Sequence, residues 1–347
     1  MKNRLRTPLA AILIALGALA GAAQAQVLNL YSARHYQTDD VLYENFTRQT
    51  GIRINRIEAD DNALFERLRN EGRNSPADVI MMVDAARLWR AEAEGMFQPV
   101  QSAVLNERIP ANLRGGDEGK GAQWYGFSTR ARIIVYNKVR ANGADVRTYA
   151  SLADPKNKGK VCTRSGSHPY MLSMVGAMIE RIGEAETENW ARGVVANFAR
   201  PPRGGDTDQI KSVASGECAI GVTNSYYYAR MLRSNNPEDR QAMSRVGFVW
   251  PDQDGAGTHM NIAGAGVARH APNRGAAVKF LEYLASDEAQ AYFGNGNNEW
   301  PAVPTAEAAH NPALRAMGRF KPENVPISAI GRNQLAAQRI LDRVGYK

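Results

Sequence analysis

A tyrosine offers two kinds of chemistry: a phenolate oxygen for a hard cation, or a ring face for an organic ligand. This sequence gathers tyrosines in three short segments. SARHYQTDD places Tyr36 directly after His35, SGSHPY places Tyr170 two residues after His168, and TNSYYYARM carries Tyr226, Tyr227 and Tyr228 in a row. Aromatic residues make up only 8% of the chain, so abundance does not explain the run of three. On a strand or at a helix start, successive side chains point in different directions, and three consecutive rings cannot all fill one core.

The two uses differ in cost. A phenol with a pKa near 10 costs about 4 kcal/mol to ionise at pH 7, and only a strong local positive charge offsets that for several phenols at once. Hard cations select oxygen ligands, and a trivalent ion rewards anionic oxygens most. Four phenolates around Fe(III) would carry one net negative charge, which a guanidinium could balance. Arg34, Arg130, Arg132 and Arg230 all lie beside these segments or the predicted hinge. Calcium and magnesium would call for carboxylates and zinc for His and Cys, of which the segments hold few. From residue types alone, a metal site and an aromatic cage for an organic ligand both remain open.

The elements that would position these residues alternate. VLNLYS reads as a strand, TDDVLYENFTRQTG as a helix with its cap at Thr38 or Asp39 and its stop at Gly51, IRINRIE as a strand, NALFERLRNEG as a helix, and ADVIMMVD as a buried parallel strand. After the turn-rich LRGGDEGKGAQ, the run WYGFSTRARIIVYNK marks a crossing into a second lobe, and GTHMNIAGAGVARHAPN marks the return. A helix is expected from about Met171 to Ile182, and CAIGVTN reads as another strand. Strand–helix alternation of this kind predicts an α/β fold, in which ligands bind beyond the carboxyl ends of the strands. The tyrosine segments fall at such ends.

The first 25 residues have the form of a secretory leader: Lys2, Arg4 and Arg6, an apolar run from Leu9 to Ala20, and the small-x-small sequence Ala23-Gln24-Ala25 before Gln26. Cleavage there would deliver a soluble exported chain of some 320 residues, long enough for two lobes. Without the three basic leader residues the formal charge of +8 falls to +5, and Lys and Arg are interspersed with acids instead of forming the basic runs of a nucleic-acid binder. The two cysteines, Cys162 and Cys218, form an even count in an oxidising compartment and predict a disulfide, worth about 4 kcal/mol in the chain-entropy model.

Taken together, LNLYSARHYQTDD, WYGFSTRARIIVYNK, VCTRSGSHPY, TNSYYYARM, NIAGAGVARHAPN and AAVKFLEYLAS resemble the periplasmic ferric-binding proteins of bacterial iron ABC importers, within the FutA-type group of class II periplasmic binding proteins. The most specific element is the Asn-x-Tyr-Tyr pattern, here Asn224-Ser225-Tyr226-Tyr227. The resemblance implies a two-lobe Venus-flytrap with two hinge crossings, each lobe a parallel-rich sheet flanked by helices. It divides the chain as 26–127 with 251–305 in lobe one and 128–250 with 306–347 in lobe two. It further implies Tyr36, Tyr170, Tyr226 and Tyr227 as ligands to Fe(III), His35 as a fifth, Arg130 and Arg230 as neighbouring cations, and a monomer that delivers iron to an inner-membrane ABC permease, with a small anion as a possible companion of the ion. Tyr228 leaves a one-residue ambiguity in the Tyr-Tyr pair. The Cys162–Cys218 bridge suits the group.

Two other classes of function bear on the same residues. A same-fold binder of a polyamine, thiamine or sugar phosphate would need a carboxylate or aromatic cage in the cleft. An enzyme finds no support: GxSxG and HExxH are absent, and His35, His168, His259, His270 and His310 show no metal-ligand spacing. His168 reads as a solvated loop histidine.

Overall fold

The computed structural model describes residues 26–34, 36–116, 119–304 and 311–347. The expected leader, His35 and the expected lobe boundary at 305/306 lie outside the described residues. Among the described residues ten strands order the architecture: β1 (Val27–Ser32), β2 (Arg53–Glu58), β3 (Val79–Val83), β4 (Arg114–Gly115), β5 (Trp124–Asn137), β6 (Val161–Cys162), β7 (Ile220–Asn224), β8 (Val246–Val249), β9 (Met260–Val267) and β10 (Trp300–Pro301). Their main path runs β2-β1-β3-β9-β5-β7-β6. β1 pairs in parallel with both β2 and β3, as the strand–helix alternation requires.

β5 is the spine. At 14 residues it spans about 45 Å, too long for one lobe. Its first half pairs with β9 as far as Ala131–Met260, and its second half pairs with β7 and β8 from Arg132 onward. One continuous strand therefore joins a first lobe, built on β1, β2, β3 and β9, to a second built on β6, β7 and β8. Each lobe has its own apolar core. Leu28, Leu30, Phe46, Val79, Ile80 and Phe280 belong to the first, and Ile134, Val161, Val175, Ile220 and Ile340 to the second.

Local signals set the helix ends. The helix Asp39–Thr50 stops at Gly51, which adopts a left-handed φ of 70°. Thr38 precedes it, but its hydroxyl is bonded to Asn297 at 2.5 Å and does not cap the helix. The expected helix at Met171–Ile182 is longer, Pro169–Ala196, with a break at Gly183 (φ 82°) where the periodic pattern ends. The Cys162–Cys218 disulfide is formed and tethers the entry to β7 beside β6.

The lobes also touch on one side of the cleft. The Ser173 hydroxyl donates to both oxygens of the buried Asp84 carboxylate, at 2.7 and 2.9 Å. Beside this contact, the helix Ile327–Arg332, whose Ile327 and Ile330 belong to the first core, packs on the helix Ala85–Ala93 so closely that a Cβ at Gly331 would fall 2.5 Å from the Trp89 ring.

Candidate metal centre

Tyr36 follows β1 and turns the chain into the helix Asp39–Thr50, its carbonyl accepting from the Asp39 amide at 2.8 Å. Arg34 lies beneath it, with its guanidinium carbon 4.5 Å from the ring centroid. Asp39 and Glu299 hold that guanidinium in place from two sides, at 2.8 and 3.1 Å. Tyr170 is the second residue of the helix Pro169–Ala196. Proline starts that helix, and His168 caps it by accepting the Tyr170 amide on Nδ1 at 3.2 Å. His168 is thus half-buried and structural, whereas the sequence suggested a solvated loop residue. Burial, with Arg164 and Arg132 nearby, pushes its pKa down to about 3, so the ring is neutral and can accept that bond.

β7 delivers the tyrosine run at the start of the helix Ser225–Leu232. Helical geometry separates its three members. Tyr228 turns into the second lobe, bonding the Val246 carbonyl at 3.3 Å and packing 4.9 Å from Phe248. Tyr226 and Tyr227 face the other way, their centroids 4.1 Å apart. Of the three, Tyr228 is thus engaged with the second lobe's interior, while Tyr227 lines the cavity beside Tyr170.

Phenols from both lobes meet there. The Tyr170 and Tyr226 hydroxyls are 3.2 Å apart, and the Tyr36 and Tyr226 rings lie 6.0 Å apart. Octahedral oxygens about 2.0–2.1 Å from a small hard cation sit about 2.9 Å from one another, close to the hydroxyl separation seen here. A cavity of about 200 Å³ opens on Tyr36, Tyr170 and Tyr227, with Arg34, Asp61 and Arg87 on its wall. That is smaller than the usual range for organic-ligand pockets, about 300–1,000 Å³.

The orphaned polar atoms are more telling. The Tyr36 hydroxyl, all three guanidinium nitrogens of Arg130 and Oε1 of Glu299 are buried without a hydrogen-bond partner. Each such atom costs about 1–3 kcal/mol, so a concentration of them in one place marks groups arranged for something other than each other. Arg130, 1% exposed, approaches Glu299 only to 3.8 Å. Among the described residues no group of three or more His, Cys, Asp or Glu is placed to hold a metal.

The electrostatics are those of phenols kept neutral by burial, with Glu299 adding to the effect at Tyr36. Burial pushes Tyr36 and Tyr226 far above the ordinary phenol value, their phenol neighbours push further, and Arg130 opposes the shift at both. Tyr227 is pushed up to about 12 by burial, with Tyr170 and Asp206 adding to it. Burial works against the charge on Arg130, yet Glu299 and the phenols raise its pKa on balance. A second ion cluster supports Tyr170 and the Tyr226–Tyr227 turn. The Asp206 carboxylate accepts from Arg132 at 2.6 Å, Arg164 at 3.0 Å and the Asn224 amide at 2.7 Å, and Arg164 stands 5.0 Å from the Tyr170 ring.

Arg230 is exposed. It bonds Thr207 at 3.1 Å and stands 4.9 Å over the outer face of the Tyr227 ring. Sequence reasoning passed over Arg164, Asp206 and Glu299. Asp206 lies in the glycine-rich RPPRGGDTDQI and Glu299 in NGNNEW, and neither stretch carries a motif; only the fold brings them to the site.

Residues 42–316 match the family of bacterial extracellular solute-binding proteins. Iron uptake protein A2 of Synechocystis is 46% identical over 98% of this chain and 96% of its own length, and iron uptake protein A1 of the same organism is 45% identical over 93% and 88%. Among solved structures, the Trichodesmium protein described as IdiA or FutA, in complex with iron and citrate, superposes with a TM-score of 0.86 at 49% identity, covering 92% of this chain and all of that one. Apo FutA2 from Synechocystis gives a TM-score of 0.86 at 46% identity, covering 93% of this chain and all of its own. With its two lobes on one shared strand, this chain belongs to the bacterial extracellular solute-binding proteins.

Proposed function

We propose that this protein captures Fe(III) between its lobes and presents it to an ABC importer. Tyr36, Tyr170, Tyr226 and Tyr227 serve as ligands in this reading, with His35 as a fifth from the segment beside Tyr36. The observation that carries it is the meeting of phenols from both lobes around orphaned polar atoms, with the Tyr170 and Tyr226 hydroxyls 3.2 Å apart. The iron-binding and iron-uptake relatives support the same cargo.

The energetics give the site its selectivity. Ionising Tyr227 at pH 7 from a pKa of about 12 costs about 7 kcal/mol. A divalent ion offsets such costs poorly, whereas a trivalent one bound to several phenolates does so and leaves one net negative charge for Arg130 to balance. Because Tyr36 comes from one lobe and the other three tyrosines from the second, binding and closure are one linked equilibrium. Protonation of the phenolates or reduction to Fe(II) weakens the same bonds and releases the ion.

No chemical transformation is needed, and the protein acts as a carrier. The leader exports it to the periplasm, where it works as a monomer with an inner-membrane permease. We place the lobe divisions at 127/128, on β5 just ahead of the change of pairing partner at Ala131/Arg132, and at 250/251 and 305/306. An organic-solute binder is not favoured, since the hydroxyls converge where a cage would present ring faces.

Visible absorption tests the reading. Ferric citrate added to the mature protein should give a tyrosinate charge-transfer band, displaced or weakened in Tyr170→Phe and Tyr226→Phe. A colourless wild type would refute ferric capture by tyrosinate, and a band unaltered in both variants would refute the ligand assignment.

A further inference from the structure

The second lobe carries a basic pocket at the end of β5 opposite the cleft. Arg132 pairs with Asn224 at the cleft end, and Tyr136 pairs with Ile220 and Gly247 at the other, about 13 Å further along the strand. There the chain leaves β5 as Lys138-Val139-Arg140, and the turn before β6 returns as Lys156 to Lys160. Between them lies a cavity of about 630 Å³, lined by Tyr136, Lys138, Arg140, Asn142, Lys156 and Lys160 among others.

Its charge is largely uncompensated. Among the described residues Lys138, Arg140 and Lys160 have no carboxylate partner. Lys138 donates to the Ser244 carbonyl at 3.1 Å, Lys160 to the Lys156 carbonyl at 2.8 Å and Arg140 to the Gly216 carbonyl. A carbonyl occupies one donor of each group and neutralises none of the charge. Lys156 meets Asp154 at 3.4 Å, and Asp145 is the acid on the lining. With Lys156 paired to Asp154, three unpaired cations face one lining carboxylate, an excess that attracts anions.

The pocket is also built in advance. The buried Asn137 fixes one rim: its amide donates to the Val213 carbonyl at 2.8 Å, and its oxygen accepts from the Val139 and Arg140 amides at 3.0 and 3.3 Å. Asn157 fixes the other by donating to the Ser151 carbonyl at 2.7 Å. The Tyr136 ring is held between backbones, since a Cβ at Gly143 or Gly247 would fall 2.9 or 2.5 Å from it. The lysine heads therefore project from restrained backbone.

We propose that this pocket binds a phosphate-bearing anion. Ammonium groups act as point charges toward phosphate oxygens, and the volume exceeds what a single phosphate fills. Two sources offer that chemistry, a soluble oligophosphate and the headgroup of an anionic phospholipid.

The test uses the mature, iron-free protein at low ionic strength. Inorganic tripolyphosphate is titrated in by calorimetry, and sedimentation is measured with phosphatidylglycerol and with phosphatidylcholine vesicles. Wild type is compared with Lys138→Gln/Lys160→Gln, and with Arg130→Gln as a control for anions entering the cleft. Circular dichroism establishes that each variant is folded. The expected result is saturable binding that falls at least tenfold in the double variant, persists in Arg130→Gln and weakens with salt. Tripolyphosphate binding identifies a soluble ligand, and binding confined to phosphatidylglycerol vesicles identifies the headgroup. Absence of binding in both arms, or equal binding by wild type and the double variant, overturns the proposal.

Discussion

Replacing Arg130 with glutamine removes a buried positive charge that none of its neighbours hydrogen-bonds. The charge acts on Tyr36 and Tyr226, lowering the proton affinity of both. At about 5 Å and an effective dielectric constant of about 20, one charge pair is worth about 3 kcal/mol, or roughly a hundredfold in affinity. Removing Arg130 also leaves Glu299 with only Arg34 and Ser128 as partners, its second oxygen facing the phenolates uncompensated. The single variant should thus lose about two decades of ferric affinity, and Arg130→Gln/Glu299→Gln should recover about one of them. Competition against citrate, read from the tyrosinate band, gives both numbers, with thermal melts as a folding control. A folded Arg130→Gln variant that holds iron within threefold of wild type would refute the electrostatic argument.

Other outcomes follow from the same geometry. Because ligation by four tyrosines requires four phenolates, and Tyr36, Tyr226 and Tyr227 hold their protons more firmly than an ordinary phenol, ferric binding must expel about four protons per ion and weaken as pH falls; a pH-stat titration showing fewer than one would contradict phenolate ligation. Burial pushes the Asp206 carboxyl up, but Arg132, Arg164 and the Asn224 amide overcome this and hold it below the usual range. Its stabilising contribution is therefore present above about pH 4 and lost as pH falls through the lower folded value. Asp206→Asn should cost about 3–5 kcal/mol at pH 7 and flatten that acid limb in melts recorded from about pH 2 to 5. Ser173→Ala removes a hydrogen bond from Asp84 across the lobes, worth about 1 kcal/mol, and should weaken iron retention about fivefold while X-ray scattering shows a larger open fraction; an unchanged profile would place the contact outside the closure equilibrium.

The alternating pattern made the first three strands and their helices legible, because short apolar runs such as VIMMV, bounded by glycine and polar turns, have few other fates. The tyrosine segments were legible for a different reason: an α/β sheet sends its strand ends to one edge. What stayed hidden was the neighbourhood of those phenols. Arg164 reaches Asp206 across 42 residues, and Arg34 reaches Glu299 across 265, so no local window contains either pair. The facing of Tyr226, Tyr227 and Tyr228 likewise depended on where the helix begins, and a shift of one residue would have exchanged them. His168 misled because a histidine before proline looks like loop, and its capping bond to the Tyr170 amide exists only once the helix has formed.

The continuity of β5 has a consequence for how the molecule can be cut. Neither half keeps a finished sheet if the chain is severed between Ala131 and Arg132, for each would be left with a raw strand edge seeking a partner. Separately expressed halves should aggregate instead of folding, and the intact protein should melt in a single calorimetric transition despite having two cores.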